Sequence, residues 1–267
     1  MPEPLLLTFV AALGLSLGSF LNVCILRLPG GESILHPRSR CTSCERQLSW
    51  YENIPVLSYL ALRGRCRTCG TRISVMYPLV ELATGLIWFG SFYYFDSRWH
   101  ALSAAVFGTL LLGITLTDAR EYIIPDQFSL GGLVLGLALS FAPIAPTPVE
   151  GWLAIPPNPP IWSFAGAVLA FSLMYAVAVV GEWAFKKPAL GGGDIKMMAM
   201  VGAFVGPLHA LLTIFVGSLV GALIFGPIGL KTGKLVPFGV FLSLGAGIVY
   251  IWGNDMVSWY ASRFLGL

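Results

Sequence analysis

The sequence predicts an all-α, polytopic membrane protein of about eight transmembrane helices, with a small cytosolic zinc-binding domain between the first and second. Three observations carry that expectation. The 267 residues are 56% hydrophobic and only 11% charged, with a mean hydropathy of +0.79, far from the composition of water-soluble domains. Apolar runs long enough to cross a hydrocarbon core, which takes roughly 20 residues of helix, recur along most of the chain. Four of the five cysteines fall in one polar stretch, 27–76. The expected domains are therefore 1–26, a first transmembrane helix; 27–76, a cytosolic tetracysteine domain; and 77–267, a transmembrane domain.

In chain order the apolar runs cover 5–26, 77–95, 101–117, 127–145, 162–185, 195–206, 208–229 and 235–253, the sixth being short. The stretch from Ile195 to Leu230 is too long for one crossing, and Gly206-Pro207 interrupts it. Proline lacks a backbone donor and disfavours helix in the residue before it. No basic residue precedes the first run and Arg27 follows it, which predicts an uncleaved anchor with its N-terminus outside. From that start, the cytosolic stretches together with Lys196 hold 14 of the 16 Lys and Arg, leaving Arg98 and Arg263 outside. The positive-inside rule is then met, and it calls for two passes around Pro207. The net charge of +3 follows from topology, so the expected partner is the lipid bilayer and not nucleic acid. The proline-rich stretch 142–161 is expected to be a stiff connector on the outer face. No internal repeat is evident.

The cysteines pair as "CTSC" (Cys41, Cys44) and "CRTC" (Cys66, Cys69), with 21 residues between the pairs. This is ribbon-type zinc spacing: each CxxC turn can aim two thiolates at one ion, and two turns complete a closed tetrahedral site with no position left for water. Such a site implies structure, not hydrolysis. Arg40, Arg65 and Arg67 are expected to help hold the thiolates deprotonated. Two disulfides or four free thiols are the alternatives, and a cytosolic location argues against disulfides. A metal would stabilise a stretch too small to rely on its own core. Cys24, inside the first apolar run, is expected to be packed.

Ionisable groups in or beside membrane spans mark functional sites. Asp118 ends the third run, Asp126 begins the fourth, and Asp194 opens the sixth after Gly191–Gly193. Two spans separate Asp118 from Asp194, so both return to the same face and can pair. Two carboxylates in reach of each other cannot both ionise easily, leaving one as base and one as acid, a pair suited to amide hydrolysis. Gly191 and Gly193 would allow positive φ or a close backbone approach. Asp194 at a helix N-terminus complements the helix dipole, whereas Asp118 sits at the end that disfavours its charge. Helix capping is an alternative role for Asp126 and Asp194. Lys196 either tunes the local field or obeys the positive-inside rule. Glu81 and Glu182, within spans, are open to roles as proton relay, interhelical contact or interfacial group. His36, His100 and His209 show no ligand spacing.

Together "GSFLNVCILRLP" (18–29), the two CxxC pairs, "YPLVELATG" (77–85), "DAREYIIPD" (118–126) and "GGGDIK" (191–196) resemble the bacterial type IV prepilin peptidases, bifunctional leader peptidase/N-methyltransferases of the GxGD class of intramembrane aspartic proteases. The resemblance spans nearly the whole chain. It implies Asp118 and Asp194 as catalytic aspartates, the latter being the acid of a GxGD motif whose glycines are Gly191 and Gly193. It implies prepilin or pseudopilin substrates, cut at the cytosolic face of the bacterial inner membrane after a short basic leader. It also implies methylation of the new N-terminus with S-adenosylmethionine. The methyl-donor residues are not readable; 18–76 and Glu81 mark only a neighbourhood. An ion- or proton-coupled transporter with intramembrane acids and a non-enzymatic assembly platform are the rival expectations.

Overall fold

A computed structural model describes residues 3–142, 160–187, 190–232 and 237–265. The all-α expectation holds: the described residues form eight α-helices, with β-pairing limited to two isolated bridges. The helices are α1 (Pro4–Arg27), α2 (Leu57–Ala61), α3 (Met76–Tyr94), α4 (Arg98–Glu121), α5 (Asp126–Leu139), α6 (Pro160–Phe185), α7 (Gly192–Thr232) and α8 (Phe238–Tyr260). Nearly all of the proline-rich stretch 142–161 lies outside the described residues.

Among the described residues, five helices are long and apolar enough to cross a membrane: α1, α4, α6, α7 through Ile224, and α8 with its extension to Phe264. The expected eight crossings differ from this at three places. In the 19-residue α3, Pro78, Glu81, Thr84 and Ser91 dilute the apolar run. The 14 residues of α5 reach roughly 21 Å at 1.5 Å per residue, short of a hydrocarbon core of about 30 Å. Finally, α7 is continuous in name only. Gly206 has φ 77° and ψ 178° inside it, so two helical halves meet at a kink immediately before Pro207, where the sequence places a break.

The chain divides into two compact units, Met1–Thr109 and Leu110–Leu267, with the boundary inside α4. In the first, α1 and α3 run antiparallel in close backbone contact. A Cβ added to Gly18 would lie 2.7 Å from Glu81 Cα, and one added to Gly14 would lie 2.7 Å from Trp88 Cβ. Small residues at such crossings let helices approach where lipid offers no hydrophobic drive to pack. Val10, Trp88 and Ala105 form a buried cluster, and Trp88 Nε1 donates to Thr109 Oγ1 at 3.1 Å.

Between α1 and α3 the structure contains a repeat that the sequence reading does not resolve. Residues 39–49 (SRCTSCERQLS) and 64–74 (GRCRTCGTRIS) fold alike. The amides of Cys41 and Cys66 donate to Arg46 O and Thr71 O at 2.9 and 2.8 Å, and those of Leu48 and Ile73 donate to Ser39 O and Gly64 O, both at 2.8 Å. Matching bridges join Arg40 with Gln47 and Arg65 with Arg72. Each turn needs a left-handed residue just after its second cysteine, and these are Glu45 (φ 55°) and Gly70 (φ 70°).

In the second unit, the first half of α7 is the central helix. Met197, Met198, Met200 and Val201 are fully buried, as expected of a helix apolar on every side. Against it, α5 brings Gly132 to Met200 and Gly136 to Phe204. The backbones of Gly166 on α6 and Gly202 on α7 touch, and Ser163 Oγ donates to Ala203 O at 2.6 Å. The second half of α7 lies against α8 through Gly217 and Gly245.

Candidate active site and metal centre

Asp118 lies in the last turn of α4, where its carboxylate faces its own helix dipole unfavourably. The fold resolves this with another helix. Asp118 Oδ2 accepts a hydrogen bond from the Val240 amide at 3.1 Å, in the first turn of α8, where amides have no partner within their own helix and the dipole favours an anion. Gly239 makes the approach possible, since a Cβ there would lie 2.9 Å from Asp118 Oδ2 and 2.8 Å from Ile124 Cδ1.

Asp194 lies in the first turn of α7. Its amide donates to Gly191 O at 3.1 Å. Of the two possibilities for the glycines, the structure uses close approach: Gly191–Gly193 have no left-handed φ, and a Cβ on Gly193 would lie 3.0 Å from Ile124 Cβ. Ile124 is thus wedged between Gly193, next to one acid, and Gly239, next to the other. Asp118 and Asp194 are 6% and 9% exposed and lie within electrostatic range of each other. Asp194 Oδ1 is buried without a hydrogen-bond partner. Burying such an oxygen is costly unless something arrives to bond it.

Asp126 and Lys196 are brought together at this end of the helices. Lys196 Nζ donates to Asp126 Oδ1 and Oδ2 at 2.7 and 2.9 Å, joining the first turns of α5 and α7. Capping by the Asp126 side chain does not occur: Pro125 holds the N-cap position of α5 and Asp126 is its first residue. Glu81 lies in the first unit, on α3, where Oε2 accepts from the Val56 amide at 2.7 Å.

The four cysteines converge as the spacing predicts. All are free, their sulfurs lie within 4.8 Å of one another, and the Cys41–Cys69 and Cys44–Cys66 sulfurs are 3.8 and 4.0 Å apart. Zn–S bonds of ~2.3 Å in a tetrahedron place sulfurs about 3.8 Å apart, so the donor set fits such an ion. Hydrogen bonding with the Thr71 side chain and from the Thr71 amide draws the Cys69 thiol down to about 6, and the Cys69 and Thr68 amides lower Cys66. For Cys44 the Arg46 amide acts downward, but desolvation and three neighbouring sulfurs push the thiol up to about 11. Thiolates so crowded need a cation among them. Arg40 and Arg67 are not placed as expected: Arg40 approaches Glu45 at 4.0 Å, and Arg67 donates to the Tyr51 hydroxyl. Arg46 sits beside Cys66 instead, oriented by Glu52 through bonds of 3.0 and 2.7 Å.

Comparison with known proteins decides the family. Residues 12–95 match the Bacterial Peptidase A24 N-terminal domain, and 105–226 match the Type IV leader peptidase family. The chain is 39% identical to a prepilin leader peptidase/N-methyltransferase of Myxococcus xanthus, over 88% of this chain and 66% of that protein. Proteins of the same name are 33% identical in Pseudomonas putida, over 96% of this chain and 93% of that one, and 32% identical in Bacillus subtilis, over 98% and 100%. This chain is a member of the type IV leader peptidase family. No solved structure matches it. As a family member it is an enzyme of an aspartic protease family, and its apolar helices make it a multi-pass membrane protein. The peptidase match contains Asp118, Asp126, Asp194 and Lys196, while the cysteines and Glu81 lie in the N-terminal match. Gly239 and Val240 fall outside both matches and outside the sequence-derived site. Their only signal is Pro237 with a glycine two residues on, at a helix start.

Proposed function

We propose that this leader peptidase family member cleaves the leader of type IV prepilins or pseudopilins with Asp118 and Asp194 as its catalytic pair, and then methylates the new N-terminus. The observation that carries the reading is the pair itself: two buried acids in electrostatic range, one bonded by a helix-start amide and the other with an unpartnered oxygen. In this chemistry the ionised carboxylate takes a proton from water as the oxygen attacks the scissile carbonyl. The protonated partner donates to the carbonyl oxygen, and the leaving amine is protonated as the C–N bond breaks. The Val240 amide fixes the position of Asp118 Oδ2, and we assign Asp118 the base role.

Cys41, Cys44, Cys66 and Cys69 would hold one structural zinc ion, whose closed sulfur set leaves no position for substrate. S-adenosylmethionine, when bound, supplies the methyl group. The chain sits in the bacterial inner membrane as a multi-pass protein with its N-terminus outside and with the cysteine domain and both acids at the cytosolic side. The test is to incubate the purified full-length protein with a prepilin, with and without S-adenosylmethionine, and weigh the product. Loss of the leader, plus one methyl mass only with the donor, is expected. An intact prepilin would contradict the reading.

A further inference from the structure

Among the described residues four carboxylates are buried: Glu52, Glu81, Asp118 and Asp194. Glu52 pairs with Arg46, and Asp118 and Asp194 belong to the site described above. Glu81, 8% exposed, has no Lys or Arg within ion-pair distance among the described residues. Its environment is neutral. Oε2 accepts the Val56 amide at 2.7 Å, the Ser19 side chain of α1 sits beside it, and Gly18 brings the α1 backbone against Glu81 Cα.

The group that holds it is strained. Val56 has φ 59° and ψ −48°, while the next amide, Leu57, bonds back to Pro55 O at 2.5 Å. This is a γ-turn of the disfavoured hand, and a β-branched residue there is an outlier. Strain of this kind concentrates at ligand clamps. A buried carboxylate without a counter-ion is costly, and in a membrane helix it marks a site whose partner is supplied from elsewhere.

We propose that Glu81, with the Val56 turn and Ser19, is the receptor for the cationic group of a methyl-transfer reactant. The chemistry it selects is a compact onium: the sulfonium end of the methyl donor or the ammonium of the newly cut N-terminus. This rests on the methylation reading above, and two facts favour it. Glu81 lies in the N-terminal match, 12–95, and not in the Type IV leader peptidase match that begins at 105, and among the described residues it is the buried acid of the N-terminal unit that makes no ion pair.

Glu81→Gln separates the possibilities because it keeps an acceptor for the Val56 amide while removing the charge. Purified full-length wild type, Glu81→Gln and Glu81→Asp are compared for the ratio of methylation to cleavage, for S-adenosylmethionine affinity by equilibrium dialysis, and for KM toward a peptide bearing the cut N-terminus. A ratio at least tenfold lower in Glu81→Gln, partly recovered in Glu81→Asp, is expected. An accompanying tenfold loss of donor affinity assigns the sulfonium, whereas a raised peptide KM with donor affinity intact assigns the ammonium. An unchanged ratio in Glu81→Gln overturns the proposal and leaves Glu81 as a neutral latch on the loop. Equal loss of both activities with a lowered unfolding temperature also overturns it. A wild-type protein that never methylates refutes the reading beneath it instead.

Discussion

Asp118 Oδ2 accepts the Val240 amide at 3.1 Å, so the C-terminal turn of α4 is joined to the N-terminal turn of α8 across more than a hundred residues of sequence. An acid that opposes its own helix dipole is thereby placed in the favourable field of another. The contact depends on Gly239, whose missing side chain leaves room for both Asp118 and Ile124.

Gly239→Ala is therefore expected to displace the Asp118 carboxylate and lower kcat for leader cleavage by roughly 10- to 100-fold, since shifts of about 1 Å at a reacting group cost this much. Gly192 has nothing within 4 Å of its Cβ position, and Gly192→Ala is expected to keep near wild-type kcat. Single-turnover cleavage of a prepilin by the two variants checks the contrast.

The cysteine site predicts one zinc per chain by elemental analysis. Cys41→Ser and Cys69→Ser should each lower the zinc content and expose the loop between α1 and α3 to proteolysis, because structural zinc binding and folding are coupled. A zinc-free protein of unchanged protease resistance would contradict this prediction.

The duplicated turns differ at their left-handed positions, Glu45 and Gly70. A non-glycine residue there costs about 1–2 kcal/mol, part of which is regained through lower chain entropy when unfolded. Glu45→Gly should stabilise the zinc-loaded loop by up to ~1 kcal/mol. The 4.0 Å contact with exposed Arg40 that it removes contributes little. Gly70→Glu should do the opposite, and hydrogen exchange of the loop amides reads both.

Glu52 is bonded by Arg46 and by the Ser49 amide, and these hold its carboxyl at about 2. A carboxyl depressed on folding contributes stability above its unfolded value near 4 that is lost as pH falls through about 2. Glu52→Gln is expected to destabilise the loop by about 1.5–3 kcal/mol at neutral pH. The gap from wild type should narrow as pH falls below about 4, down to the pH at which the thiolates protonate and release the zinc, followed by the same hydrogen exchange.

What the sequence made legible divides along physical lines. The zinc spacing was readable because both CxxC turns are local, and so was the break at Gly206-Pro207, a backbone restriction fixed by two adjacent residues. Asp118 and Asp194 stood out as acids that an apolar helix cannot hide. Their surroundings were not readable, because Val240 and Gly239 reach Asp118 only through tertiary packing, and no local pattern marks a helix start as the cap of a distant carboxylate. Arg46, which sequence proximity alone does not single out, sits beside Cys66, while Arg40 contacts Glu45 and Arg67 the Tyr51 hydroxyl. The repeat of the cysteine turns is not legible in the sequence, because its halves share only Arg-Cys, the second cysteine and the closing serine, while the shared property is a hydrogen-bond pattern.

Under the proposed function, Asp118 and Asp194 act together in the cleavage. The most direct test is the N-terminal mass of a prepilin after incubation with purified wild type, Asp118→Asn or Asp194→Asn, each with S-adenosylmethionine present. A shortened, methylated product is expected with wild type, and a rate loss of ~10²–10⁴-fold in each variant, the effect of removing an acid or base from the reaction. Cleavage at the wild-type rate by either variant would contradict it.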